Sequence, residues 1–164
     1  LKRLIDAGDL GNAEVIVRQT PDNPYIFWEN IGDLISHHIK ENADLTVTEH
    51  LPLGAYVEIL SIDALKTSHL HGDSRHRSEL CDLFIVENPE QFKIVRIPSA
   101  PEVARPNYRL TVDTPEDLVL ARRIWADLNR PGNLITIHEI VQHLDAHPEL
   151  ARINQIPNHS HIWK

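Results

Sequence analysis

The sequence contains no methionine and a single cysteine among its 164 residues. The missing initiator methionine, together with an opening LKRLIDAGD that reads as the end of a helix, predicts that the sequence starts inside a longer reading frame. The lone Cys81 excludes an internal disulfide, so we expect a reducing, cytoplasmic compartment. Apolar runs of about 20 residues, the length of a membrane span, are absent as well. We therefore expect no membrane partner.

A basic surface is also missing, because 24 acidic residues outnumber 16 Lys and Arg and give a net charge of −8. Proteins that bind nucleic acid need a positively charged face, so we expect no nucleic-acid partner. The length and a hydrophobic content of 41% fit one globular domain with a sizeable core. We expect a partial α/β domain over residues 1–154 and a loosely held tail over residues 155–164.

The clearest local pattern in the chain is NYRLTVDTPEDLVL, Asn107–Leu120, which predicts a strand followed by a helix. Tyr108–Val112 reads as a short buried strand that runs into Asp113. Thr114 is a natural N-cap, and Pro115 fits the first helical position, where its missing N–H costs nothing. The apolar face of the helix is predicted from Leu118, Leu120, Ala121, Ile124 and Trp125.

A second carboxylate has the same setting as Asp113. The run Ala13–Thr20 is apolar and β-branched at its centre, which predicts a strand buried in a parallel sheet. It ends in the turn Pro21–Pro24, which carries Asp22. Ligands of open α/β sheets bind at the carboxyl ends of the strands, so both aspartates are candidate ligand-binding residues. A purely structural role in the two turns explains the same residues.

The remaining elements are predicted from periodicity and breakers. Helices are expected at 28–42, 62–67, 78–87 and 137–146, the last one capped by Thr136, with a final helical turn from His147. Strands are expected at 43–50, 55–61 and 92–97, and a polar loop at 69–77. This alternation of strands and helices is typical of an α/β domain.

Five stretches of the chain, taken in order, resemble one known family. They are EVIVRQTPDNP, LPLGAYVEILSIDAL, RSELCDLFIVENPEQFKI, RLTVDTPEDLVLARRI and HPELARINQ. Together they resemble the cytidylyltransferases of the spore coat polysaccharide biosynthesis protein F type, relatives of the CMP-Kdo and CMP-acylneuraminate synthetases. The resemblance implies a mixed, mostly parallel Rossmann-like sheet with flanking helices, of which this chain is the carboxyl-terminal part.

The resemblance also implies a reaction, the transfer of CMP from CTP to an activated sugar with release of pyrophosphate. Asp22 and Asp113 match the family's two metal-binding aspartates. Carboxylates about 4 Å apart repel by roughly 4 kcal/mol at an effective dielectric of 20, and Mg²⁺ would neutralise that repulsion. The family's Gly/Ser/Arg-rich nucleotide loop is absent, so this chain is expected to be inactive by itself. Substrate contacts are implied at Asn23, Gly54, Glu58, Arg77 and Glu79.

One alternative is a metal site made of histidines, in the pattern His69-x-His71-x-Asp73-x-x-His76. Histidine and carboxylate side chains are common metal ligands. However, no cysteine accompanies them, and the spacing matches no recognised zinc site. A solvated loop explains the same residues.

A second alternative is a non-catalytic module for subunit contact. The strand pair Leu45–Ser61 resembles the region that related synthetases use as a dimer arm. A chain that contains this arm could associate without catalysing a reaction. Both this module and the enzyme are expected to form a homodimer.

Overall fold

The computed structural model describes residues 1–78 and 80–155. The chain divides into two compact units, and each is built from separate segments of the sequence. The sheet unit contains Leu1–Gln19, Trp28–Glu49 and Val57–Pro98, and the helical unit contains Thr20–Phe27, His50–Tyr56 and the described residues from Ser99 onward. The single domain over residues 1–154 stays a prediction, and residues 156–164 of the expected tail lie outside the described residues.

The sheet unit holds a four-stranded mixed sheet with helices beside it. In spatial order the strands are β1 (Val15–Arg18), β3 (Glu58–Ser61), β2 (Leu45–Glu49) and β4 (Ile94–Pro98). Strand β3 is antiparallel to both neighbours, and β2 is parallel to β4. The expected mixed α/β sheet is confirmed, but "mostly parallel" is wrong, because two of the three pairings are antiparallel. The elements are α1 (Lys2–Leu10), β1 (Val15–Arg18), α2 (Ile31–Glu41), β2 (Leu45–Glu49), β3 (Glu58–Ser61), α3 (Ile62–His71), α4 (Leu83–Glu87) and β4 (Ile94–Pro98).

The helix α3 is longer than its predicted range of 62–67. It begins at the N-cap Ser61, whose side chain accepts a hydrogen bond from the Ala64 N–H at 3.1 Å. It ends before Gly72, where a Cβ would lie 2.5 Å from the Ser68 carbonyl oxygen. The loop predicted from residue 69 therefore begins inside a helix. A following turn, Arg75–Arg77, is a 3-10 helix.

His76, part of the histidine pattern, is buried and hydrogen-bonded. The Asp73 N–H donates to its Nδ1 at 2.9 Å, and its Nε2 lies 2.8 Å from Glu87 Oε2. Both ring nitrogens are thus engaged in holding the segment between α3 and α4. Residues 1–78 and 80–155 contain no group of three or more His, Cys, Asp or Glu side chains that could hold a metal ion. The structure therefore lends no support to the histidine metal site.

The helical unit confirms the two best-capped helices of the sequence. They are α5 (Pro115–Leu128) and α6 (Ile137–Ala146), and a short α7 (Pro148–Ala151) follows. Each of the two long helices begins with a capping box, in which the N-cap threonine and the third helical residue exchange hydrogen bonds. Within residues 1–78 and 80–155, no helical segment combines the length and the hydropathy of a membrane span.

Two details of the helical unit differ from prediction. Tyr108–Val112 is not a strand of the described sheet, because its pairing within residues 1–78 and 80–155 is limited to one isolated parallel bridge between Arg109 and Leu53. The apolar face of α5 is also narrower than expected. Leu118 and Trp125 are 39% and 56% exposed, whereas the core of this unit is formed by Val103, Leu120, Ile124, Ile137, Ile140 and Leu144.

Candidate functional site

Asp22 and Asp113 lie in the helical unit, where three segments of the chain meet. Gly54 allows a close approach between these segments. Its φ is +91°, and a Cβ at this position would lie 2.7 Å from Thr111 N and 2.8 Å from Asn23 Oδ1. Any other residue would combine a strained backbone with these two clashes. Gly54 therefore has a structural reason to be glycine, and its predicted contact with substrate stays a prediction.

Backbone hydrogen bonds join the same three segments. The Val112 N–H donates to the Asp22 carbonyl at 2.8 Å. The Leu53 N–H donates to the Tyr108 carbonyl at 2.9 Å, and the Leu110 N–H donates back to Leu53 at 2.8 Å. Residue 22 is therefore fixed next to the turn that carries Asp113. Both aspartate side chains are exposed, that of Asp113 by 47%.

Two neighbouring side chains donate hydrogen bonds to one oxygen of the Asp113 carboxylate. Arg109 Nη2 donates to Asp113 Oδ2 in a short ion pair. The Thr111 hydroxyl donates to the same oxygen at 3.3 Å. The carboxylate is consequently oriented, and yet it remains open to solvent on its other side. This combination suits a residue that binds a ligand arriving from solution.

Behind Asp113 lies a second carboxylate, Asp117, which is 1% exposed. Its Oδ1 accepts from Arg109 Nε at 2.9 Å and from Asn154 Nδ2 at 2.8 Å. Its Oδ2 accepts from Arg109 Nη2 and from the N–H groups of Asp113 and Thr114, each at 3.0 Å. Burial alone would raise the pKa of Asp117. The hydrogen bonds from Arg109, the Asp113 N–H and Asn154, with the charge of Arg109, lower that pKa to about 2.

A cavity of about 410 Å³ opens beside Asp22 in the helical unit. Its volume falls in the range of small-molecule sites. The ring of Tyr25 forms part of the wall, and its hydroxyl donates to the Ala121 carbonyl at 2.6 Å. Burial raises the pKa of Tyr25 to about 12, so this hydroxyl stays protonated. The cavity is lined by Pro21, Asp22, Pro24, Tyr25, Val112, Leu118, Ala121, Arg122 and Trp125.

The other predicted substrate residues belong to the sheet unit or lie outside the described part. Glu58 on β3 pairs with Arg18 on β1, whose Nη1 donates to Glu58 Oε2 at 2.6 Å. Burial raises the pKa of Glu58, and the nearby Asp82 carboxylate adds to the rise. Arg77 is exposed, and its Nη2 donates to the His69 carbonyl at 3.4 Å. Glu79 lies outside the described residues.

Sequence reasoning missed the arrangement of Arg109, Asp117 and Asn154 around Asp113. The spacing Thr114-x-x-Asp117 is a capping-box signal, and it could have identified Asp117 as the residue that closes the turn. No local signal identifies Asn154, because its partner Asp117 lies 37 residues earlier in the chain.

Comparison with known proteins shows what this chain resembles. No protein-family profile matches it. It is 30% identical over 156 residues to an uncharacterized protein, MJ1063, of Methanocaldococcus jannaschii, with 94% of this chain and 63% of that protein covered. It is 26% identical over 153 residues to the spore coat polysaccharide biosynthesis protein SpsF of Bacillus subtilis, with 92% and 63% covered.

A solved structure gives the fold. A cytidylyltransferase from Leptospira borgpetersenii superposes with a TM-score of 0.84 at 21% identity, with 96% of this chain and 66% of that chain covered. The chain thus spans slightly less than two thirds of each of these proteins. It has the fold of the corresponding part of a cytidylyltransferase, and it is similar in sequence to a protein of spore coat polysaccharide biosynthesis.

Proposed function

We propose that this chain is the carboxyl-terminal part of a cytoplasmic nucleotidyltransferase. The enzyme moves CMP from CTP to an activated sugar or sugar acid in the biosynthesis of a surface polysaccharide. The observation that carries the proposal is the backbone hydrogen bond from Val112 to the Asp22 carbonyl, which places Asp22 beside the turn that carries Asp113. The similarity to SpsF and the fold of a cytidylyltransferase support the choice of reaction.

Mg²⁺ is the metal that fits these two aspartates. Carboxylate oxygens are its preferred protein ligands, and it usually takes one or two carboxylates while water and substrate phosphates complete its shell. The exposure of both side chains and the Val112 hydrogen bond that joins their segments support this assignment. A bound Mg²⁺ would offset the charge of phosphate oxygens as pyrophosphate leaves.

The chain's own residues then hold and orient the acidic groups. Arg109 and Thr111 fix one oxygen of Asp113, while Gly54 lets the Asp22 turn approach closely. The cavity beside Asp22 offers space for a ligand of small-molecule size. We propose that Asn23, Gly54, Glu58, Arg77 and Glu79 contact substrate, as the family resemblance implies.

A cation site can be tested on the chain itself. Mn²⁺, a spectroscopic probe for Mg²⁺ sites, is titrated and followed by electron paramagnetic resonance. Replacement Asp22→Asn or Asp113→Asn is expected to weaken binding about tenfold or more. Glu116→Gln is the matched control, because Glu116 is an exposed carboxylate in the first turn of the same helix. Equal binding by all four proteins would refute the metal site.

Turnover of CTP tests the reaction. We expect no pyrophosphate release by the 164-residue chain, since its sequence has no Gly/Ser/Arg-rich loop to bind the triphosphate and its net charge of −8 repels a nucleotide. The product of the complete reading frame should release pyrophosphate with CTP, Mg²⁺ and one of a panel of acidic and neutral sugars, and Asp113→Ala should abolish this. Absence of turnover with every nucleotide and sugar would contradict the proposal. Turnover by the chain alone would locate the nucleotide site within it.

We also propose that the protein is a symmetric homodimer, the commonest oligomeric form. The strands β2 and β3 of the predicted arm are the two inner strands of the described sheet, so their backbone edges are already paired. Any contact through this region would use side chains and loops. Light scattering at high micromolar concentration should give twice the chain mass, and a monomer would contradict the proposal.

A further inference from the structure

The carboxyl-terminal segment that follows α7 reaches the proposed metal site through one buried residue, Asn154. This residue is 2% exposed, although it lies in an irregular stretch after a four-residue helix. Its Nδ2 donates at 3.0 Å to the Arg109 carbonyl and at 2.8 Å to Asp117 Oδ1. A buried amide with two specific acceptors is fixed in position, and so are the groups that it contacts.

The contacts continue from Asp117 to Asp113 along two routes. One route is the backbone, because Asp117 Oδ2 accepts the N–H groups of both Asp113 and Thr114. The other route is Arg109, whose guanidinium donates to Asp117 through Nε and Nη2 and to Asp113 through Nη2. Together these contacts set both the backbone turn and the side-chain direction of Asp113.

We propose that Asn154, Asp117 and Arg109 form a positioning relay that holds Asp113 ready to bind a divalent cation. This inference rests on the proposed function for the role of Asp113. None of the three residues needs to touch the cation. Outer-shell groups of this kind orient the ligands of metal sites, and their loss commonly weakens metal binding by 10- to 100-fold.

The capping role of Asp117 is a competing explanation, and the chain offers a matched control for it. Glu139 closes the capping box of α6 with Thr136 as Asp117 closes that of α5 with Thr114. A purely structural role predicts similar effects from the same acid-to-amide change in either box. The relay predicts that only the change at residue 117 alters the cation site.

The experiment compares Asp117→Asn, Asn154→Ala and Glu139→Gln with the unchanged chain. Circular dichroism first establishes a temperature at which every variant is folded. Mn²⁺ binding is then measured, and amide hydrogen exchange is recorded by NMR for Asp113 and Thr114. We expect both relay variants to bind Mn²⁺ about tenfold or more weakly and to lose protection at these two amides. Glu139→Gln should change neither quantity.

If Asp117→Asn is unfolded at every temperature, the relay is tested with Asn154→Ala. This variant keeps the Asp117 carboxylate and removes one of its hydrogen-bond donors. Lost amide protection with unchanged Mn²⁺ binding would overturn the relay and leave a structural turn. If the unchanged chain binds no Mn²⁺, the proposed metal site fails. The positioning of Asp113 by Asn154 is then judged by amide exchange alone, and unchanged protection in Asn154→Ala overturns it.

Discussion

Asp117 in the helical unit and Glu58 in the sheet unit are both carboxylates paired with an arginine, and the fold shifts their pKa values in opposite directions. The side chains are 0% and 12% exposed. The pKa of Asp117 falls to about 2, whereas the pKa of Glu58 rises. An arginine partner is common to both residues, so its presence alone does not explain the difference.

The surroundings of the two carboxylates explain the difference. Asp117 accepts five hydrogen bonds, which stabilise its charged form more than burial disfavours it. Glu58 has Arg18 as a donor, but burial and the Asp82 charge outweigh that contact. A buried ion pair is therefore favourable only when further hydrogen bonds satisfy the charge.

The largest expected effect is that of Asp117→Asn on stability. The change leaves Arg109 without its buried counter-charge and places an amide NH₂ among donors, which should cost about 3 kcal/mol or more of unfolding free energy. Urea unfolding at neutral pH measures the loss. Glu139→Gln, in the other capping box, keeps an oxygen that can accept the Thr136 N–H and should cost no more than about 0.5 kcal/mol. Equal losses in the two variants would show that Asp117 acts only as a cap.

The second effect is a loss of stability in acid. The pKa of Asp117 is lower in the folded chain, about 2, than its ordinary value of 3.8. Its contribution is therefore complete above about pH 4 and is lost as the pH falls towards 2, and it amounts to roughly 2 kcal/mol. Urea unfolding of the unchanged chain and of Asp117→Asn at several pH values should converge across this interval. Parallel curves would contradict the lowered pKa.

Glu58→Gln is expected to lower the free energy of unfolding by a smaller amount, about 1 kcal/mol, measured by urea unfolding as for Asp117→Asn. The amide oxygen can still accept from Arg18, and the Asp82 carboxylate still faces that cation. The sign of the pH dependence is opposite to that of Asp117. Because the pKa of Glu58 is raised in the fold, its contribution is present below the ordinary value of 4.5 and is lost as the pH rises through the folded value. A cost as large as that of Asp117→Asn would remove the contrast between the two pairs.

The smallest effect is that of Asp82→Asn. Removal of this charge should lower the pKa of Glu58, which carbon-13 NMR of the carboxyl group can follow. The free energy of unfolding should change by no more than about 0.5 kcal/mol, because two effects oppose each other. Loss of the charge relieves its repulsion with Glu58, but it also removes a negative charge that favours the start of α4. An unchanged pKa of Glu58 would show that burial alone causes its rise.

Local chemistry was enough to predict α5 and α6. Thr114 with Pro115, and Thr136 before an apolar face, specify a helix start through side-chain hydrogen bonds within one turn. Strands were harder to predict, because a strand is defined by its partner. Tyr108–Val112 has the composition of a strand, but one isolated bridge is its only strand-type pairing in the described residues.

The sequence by itself determined the capped helices, the acidic surface and the two aspartates at the ends of apolar segments. Only the tertiary structure decided that the segments of Asp22 and Asp113 are neighbours, through the hydrogen bond from Val112 to a carbonyl far earlier in the chain. It also decided that Asn154 and Arg109 surround Asp117. Caps depend on residues within one helical turn, whereas burial, hydrogen-bond number and pKa depend on segments that only folding brings together.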